Sequence, residues 1–159
     1  MRKPFAAWLA VAVCVAAIDQ ASKWVALGAL FPGEVRAYAS FFNLVLTFNR
    51  GAAFSFLSSA SGWQREFFIG VAIVASAIIV TLLWRSRDER AYCAGLALIL
   101  GGALGNLWDR IQLGYVVDFL DFHALGYHWP AFNAADSAIT VGAALLIFDG
   151  FRPRGKSGP

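Results

Sequence analysis

Two runs of 18 residues, Phe67 to Trp84 and Ala91 to Trp108, contain no charged side chain. As helices rising 1.5 Å per residue, each would be about 27 Å long, close to the thickness of a bilayer's hydrocarbon core. Two further apolar stretches, residues 5–28 and 131–151, are long enough to cross as well. The composition agrees. Apolar residues make up 59% and charged residues 14%, where a typical soluble domain carries roughly 25% charge. So little polar surface cannot cover a soluble globule. The expected fold is an all-α polytopic membrane protein with four transmembrane helices, at about 5–28, 67–84, 91–110 and 131–151. It forms a single membrane domain over residues 1–159.

Between the spans the pattern changes. Segment 29–66 opens with the turn signal Pro32-Gly33, and Tyr38 to Phe48 is rich in aromatic and β-branched residues, which predicts short strands in a small extracytoplasmic β-rich segment. Segment 111–130 is a second polar loop. Met1-Arg2-Lys3 ahead of an apolar stretch has the outline of a secretory signal. No small-x-small site follows it cleanly, and Val13 precedes Cys14 where a lipid-modification signal needs a small residue. The stretch is therefore expected to stay as the first span. Cys14 and Cys93 fall at different depths and are read as small apolar core residues. His123 and His128 are expected as solvent-facing loop residues.

The net charge of +3 does not point to nucleic acid, because the basic residues cluster at the ends of apolar segments. Arg2, Lys3, Arg85, Arg87, Arg90, Arg152, Arg154 and Lys156 fall on one side; Lys23, Arg36, Arg50, Arg65 and Arg110 fall on the other. The positive-inside rule puts both termini in the cytoplasm. Asp118, Asp136, Asn49, Asn106 and Arg110 then converge at the outer ends of spans, although they lie far apart in the chain.

That convergence matters because a carboxylate among apolar residues is costly. Val116-Val117-Asp118-Phe119 and Phe132-Asn133-Ala134-Ala135-Asp136 each set one aspartate in such surroundings, where ionised groups pair, neutralise or line a wet functional cavity. Two carboxylates meeting in a semi-dry site push their proton affinities apart, as acid–base activation of water requires. The plainer alternative is a pair of helix-capping aspartates. Asp109 reads as a local partner of Arg110, Asp121 lies further into the loop, and Asp149 is on the opposite side. Asn133 shares a helix face with Asp136 if the helix already runs there. Arg110 either fixes a carboxylate or holds two helices together. Asp19 and Lys23, four apart, can pair as a structural tie. Gly101 and Gly105 form a G-x-x-x-G face for close helix packing. No serine–histidine pair or metal set accompanies these residues, so no cofactor or metal is expected. A compact proton-coupled transporter, or a scaffold, is the rival class; a transporter would want its carboxylate nearer the midplane.

The chain resembles the bacterial lipoprotein signal peptidases (signal peptidase II) over nearly its whole length. The resemblance rests on Asp19-Gln20-x-x-Lys23, Asn49-Arg50-Gly51-Ala52-Ala53-Phe54 and Gly101-Gly102-Ala103-x-Gly105-Asn106-x-x-Asp109-Arg110, followed by Val116-Val117-Asp118-Phe119 and Phe132-Asn133-x-Ala135-Asp136. It implies an aspartic endopeptidase of the inner membrane, cutting prolipoproteins just before a diacylglyceryl-modified cysteine and sensitive to globomycin-type inhibitors; a monomer is expected. It implies Asp118 and Asp136 as the catalytic pair. Asn49, Gly51, Asn106, Arg110 and Asn133 would contact substrate, supported by Asp19 and Lys23. It further implies a small periplasmic sheet and a periplasmic helix, matched here to residues 30–63 and 119–130.

Overall fold

The computed structural model describes residues 5–51, 63–86 and 89–151. They form α1 (Phe5–Ala29), β1 (Val35–Ala39), β2 (Phe42–Asn49), α2 (Gln64–Arg85), α3 (Arg90–Gln112), β3 (Val116–Ala124), β4 (Tyr127–His128) and α4 (Ala134–Gly150). Helices α1, α2 and α3 are long and apolar enough to cross a membrane. Helix α4 has 17 residues. It starts three residues later than the expected 131, because Asn133 is extended and caps it.

Helix α3 is the centre of the bundle, packing against α1, α2 and α4. Its glycines explain how. Gly101 and Gly105, the expected close-packing face, meet Ala12, Val15 and Asp19 of α1. A second face was not anticipated: Gly102 and Gly95 meet the Ala135 and Gly142 carbonyls of α4. Without side chains at these positions, α3 takes a neighbour at backbone distance on two sides. Trp8, Ala12, Ile79, Leu83, Cys93, Leu96 and Leu100 fill the core among α1, α2 and α3. The outward face of α2 stays apolar, with Val71, Ile73, Val74 and Ile78 exposed, as suits a lipid-facing helix. Cys93 is buried as expected and donates to the Ser86 carbonyl, but Cys14 is exposed; neither forms a disulfide.

The four strands make one antiparallel sheet in the order β1-β2-β3-β4. Strands β1 and β2 fall where aromatic and β-branched residues predicted them. Strand β3 does not, since residues 116–124 were expected partly as loop and 119–130 as the place of a helix. Instead β3 pairs with β2 across a long stretch of chain, setting Thr47 opposite Asp118 and Asn49 opposite Val116. A register shift between Leu44 and Thr47 inserts an extra β2 residue and turns the end of that strand toward the bundle. Residues 52–62, which include Ala52, Ala53 and Phe54 of the second motif, lie outside the described residues.

The β3–β4 turn is Leu125-Gly126, both at positive φ (52° and 82°), the pattern of a type I′ hairpin turn. Leucine is a poor residue for that conformation, and this one is 99% exposed. Leu125→Asn is therefore expected to stabilise the hairpin by about 1 kcal/mol. Amide hydrogen exchange in β4 should slow by a corresponding factor, with cleavage activity unchanged.

Candidate active site

The site lies where the C-terminal ends of α1 and α3, the start of β3 and the N-terminus of α4 meet. Asp118 is on β3 and 2% exposed. Its Oδ1 accepts from Asn133 Nδ2 at 2.7 Å and its Oδ2 from Asn49 Nδ2 at 3.1 Å. Asp136 is the third residue of α4. Its Oδ1 accepts from Asn106 Nδ2 at 2.8 Å, and its Oδ2 from the Asn133 backbone N–H at 3.3 Å. Asn133 thus connects the pair, giving its side-chain NH2 to one carboxylate and its main-chain N–H to the other. Its Oδ1 accepts the Asp136 N–H at 2.9 Å, which completes a capping box. Asn133 is a cap, not a helical residue sharing a face with Asp136. The capping reading proves correct for Asp136 and wrong for Asp118, which sits mid-strand.

The amides are held as firmly as the carboxylates. Asn49 Oδ1 accepts the Gly51 N–H at 2.9 Å, which leaves its NH2 free for Asp118. Gly51 reaches that position at φ 109°, where only glycine is comfortable. A Cβ there would also lie 2.6 Å from the Phe68 ring. The Arg110 guanidinium stands 5.1 Å from the centre of that ring and donates to the Asn106 carbonyl at 3.2 Å. Asp136 and Asp118 are among the charges that act on it. Its local bonds tie it to its own helix and to α2, while its charge serves the aspartates. Arg65 secures the same corner, donating to the Arg110 and Ile111 carbonyls at 2.9 and 3.0 Å.

Behind the pair lies a buried ion cluster. Lys23 Nζ reaches Asp19 Oδ2 at 2.7 Å, as the sequence spacing allowed. It also reaches Asp109 Oδ2 at 2.8 Å and Asn106 Oδ1 at 2.9 Å. Asp109, expected to partner Arg110, instead pairs with lysine: adjacent helical residues point apart, while Asp109 follows Asn106 by three and shares its face. Gln20 completes the cluster, donating to Asp109 Oδ1 at 2.8 Å and to the Gly105 carbonyl at 3.1 Å. Its role was missed, although it is the neighbour of Asp19 in the first motif.

Asp121 is 6% exposed on β3, not in a polar loop. It accepts from Asn43 at 2.8 Å and bonds His128 Nδ1 at 2.9 Å. His123 and His128, expected in the loop, stand opposite each other on β3 and β4 with rings stacked at 5.0 Å. Asp121 and Asp109 are thus both committed elsewhere, which leaves Asp118 and Asp136 as the pair joined through Asn133. Among the described residues no cluster could hold a metal ion.

Burial raises the proton affinity of Asp118, and the charge of Asp136 raises it further. The amides of Asn49 and Asn133 pull it back only partly, and its pKa comes to about 7. At neutral pH this carboxyl is partly protonated and can both donate and accept.

A helix bundle fit for a bilayer, with one buried and one half-buried carboxylate gathered by three asparagines beside a small sheet, defines a membrane enzyme. The sequence pattern of the family described as signal peptidase (SPase) II matches residues 11–152. The lipoprotein signal peptidase of Cupriavidus necator is 56% identical over 145 residues, covering 91% of this chain and 83% of that protein. The one from Ralstonia nicotianae is 55% identical over 145 residues, covering 91% and 84%. A solved bacterial membrane enzyme overlays with a TM-score of 0.83 at 30% identity, over 96% of this chain and 99% of that one. A second gives 0.80 at 29% identity, over 97% and 95%. The chain belongs to the signal peptidase II family, and its activity is proteolysis in lipoprotein processing. The transporter alternative finds no support in these likenesses.

Proposed function

We propose that the chain is an aspartic endopeptidase whose catalytic pair is Asp118 and Asp136. It cuts prolipoproteins just before their diacylglyceryl-modified cysteine. The observation that carries this reading is Asn133, which bonds both carboxylates at once and ties strand β3 to the start of α4. In this proposal α4 is the fourth span, both termini are cytoplasmic, and the pair sits near the periplasmic face of the inner membrane. The apolar outer surface of α4, including Val141, Ile147 and Phe148, supports its crossing. The enzyme acts as a monomer without a cofactor, and globomycin-type inhibitors occupy the pair. A lipid-bearing substrate reaches the site by diffusing within the bilayer, and water reaches it from the outer face.

The chemistry divides unequally between the two aspartates. Asp136 accepts two N–H donors at the N-terminus of α4, where an anion is favoured, so it starts ionised and takes a proton from water. Asp118 starts protonated and gives its proton to the scissile carbonyl oxygen as the water oxygen attacks. When the tetrahedral species collapses, Asp136 returns its proton to the departing amine nitrogen. Asp118 recovers a proton from the remaining hydroxyl.

The experiment is cleavage of a diacylglyceryl-modified prolipoprotein by purified wild-type, Asp118→Asn and Asp136→Asn enzymes, each checked for folding in detergent. Both variants are expected to be folded and inactive. Near-wild-type turnover by either would remove that aspartate from the mechanism.

A further inference from the structure

The Asn106 side chain can sit in its place in two ways, differing by a 180° turn of the amide, and only one of them serves Asp136. Its Oδ1 accepts from Lys23 Nζ at 2.9 Å and from Asn133 Nδ2 at 3.2 Å, while its Nδ2 donates to Asp136 Oδ1 at 2.8 Å. Turned over, the amide would set its NH2 against an ammonium and another NH2, and its oxygen against a carboxylate. All three contacts would become repulsive. The ammonium is the strongest of the three constraints, because it is charged and cannot accept.

Lys23 is itself fixed with unusual completeness. Its three protons have three acceptors: Asp19 Oδ2, Asp109 Oδ2 and Asn106 Oδ1. The two carboxylates among them also hold main-chain groups, Asp19 through its other oxygen and Asp109 through the same one. Asp19 Oδ1 accepts the Ala135 N–H at 2.8 Å, and Asp109 Oδ2 accepts the Val117 N–H at 3.1 Å. Ala135 and Val117 are the residues just before Asp136 and Asp118. One buried ammonium is therefore in register with the backbone leading into both aspartates.

We propose that Lys23 is a positioning residue, which locks the Asn106 amide with its NH2 aimed at Asp136 and so holds that carboxylate as the proton acceptor. This rests on the reading of Asp136 as a catalytic carboxylate. Lys23 touches neither the water nor the scissile bond; it acts through Asn106. The charged groups that act directly with Asp136 are Asp118 on β3 and Arg110 on α3; Lys23 and Asp19 on α1 reach it through Asn106 and the Ala135 N–H, and Asp109 on α3 through Lys23. Arg65 of α2 is turned to the end of α3.

The test compares pH–rate profiles of wild type, Lys23→Met, Asn106→Ala and the double variant, using the same lipidated substrate. Lys23→Met is expected to lower kcat roughly 10- to 100-fold, the worth of one hydrogen bond to a charged group. KM should stay nearly constant and the acidic limb should move to higher pH. Because Lys23 works through Asn106, the double variant should match Asn106→Ala within about twofold. Since the single change strands Asp19 and Asp109, the triple variant Asp19→Asn, Lys23→Met, Asp109→Asn is run beside it. It keeps oxygen acceptors for Ala135 and Val117 but has no ammonium, and the same shift of the acidic limb is expected. An unmoved limb, multiplicative losses in the double variant, or failure of every Lys23 variant to fold would each overturn the role. The last would make the ammonium a structural post only. Activity surviving in Asp136→Asn would instead overturn the catalytic pair.

Discussion

Asp118→Asn is expected to lower cleavage by about a thousandfold, the scale of a lost general acid, while making the protein more stable above pH 7. The two effects share one cause. The Asp118 pKa lies near 7, raised by burial and by Asp136 from an ordinary value of 3.8. Between those values the unfolded chain has released this proton and the folded protein still holds it. The folded state then binds more protons, so stability falls as pH rises through the window. Above pH 7 the folded state carries the full cost of a buried charge, a few kcal/mol at most. Asparagine carries no such cost. It does turn an NH2 toward Asn49 or Asn133 and gives up one of two amide bonds, which returns about 1–3 kcal/mol. A thermal melt of wild type should therefore decline between about pH 4 and 7 relative to Asp118→Asn, whose curve should be flatter. Parallel melting curves would show that Asp118 is not the group held near neutrality. The rate profile follows from the same value. The basic limb should fall near pH 7, where Asp118 loses the proton it must donate. An acidic limb should close the profile on the other side.

The parts of this site legible in the sequence were those where charge broke an apolar pattern. Asp118, Asp136, Asp19 and Lys23 stood out because a charge near a span demands a partner, and the partners found are close to those expected. The orientation of partners was harder to read. Asp109 was matched to Arg110 by adjacency, yet helix geometry turns neighbours apart and hands Asp109 to Lys23, which is 86 positions earlier in the chain. Strand β3 escaped notice because its first four residues are buried, which removes the alternation by which a half-buried strand is recognised. Its partner β2 is also distant in sequence. The histidines were expected in a loop for the same reason, since their strand positions depend on β3 and β4 pairing; His128 does face solvent, as expected. Asn133 was placed on a helix that had not yet begun. The Asn-x-x-Asp spacing itself is the mark of a cap with a carboxylate at the third helical position.

Gly102→Ala is expected to cost more activity than its single methyl group suggests. A Cβ at Gly102 would collide with the Ala135 carbonyl oxygen and lie 2.8 Å from Ile139 Cγ1. The first contact is backbone, so no side-chain rotation relieves it, and α4 must retreat by roughly 1 Å to reach van der Waals distance. Ala135 precedes Asp136, and its N–H is held by Asp19. The retreat therefore strains that bond and draws Asp136 away from Asn106 and Asp118. A displacement of about 1 Å at a reacting group is worth about a hundredfold in rate, and overpacking of this kind costs about 1–3 kcal/mol in stability. Gly95→Ala separates the two effects. It meets the same helix, at 2.8 Å from the Gly142 carbonyl oxygen, but seven residues down α3, roughly 10 Å from Gly102 along the axis. Its melting temperature should drop by a comparable amount while kcat/KM stays within a few-fold of wild type. If the two variants lose activity equally, α4 moves as a rigid rod, and the α3–α4 contact sets the position of Asp136 along its whole length. If Gly102→Ala alone is impaired, the α4 N-terminus is positioned locally, by the glycine beneath it and by the bonds that reach it from Asp19 and Asn106.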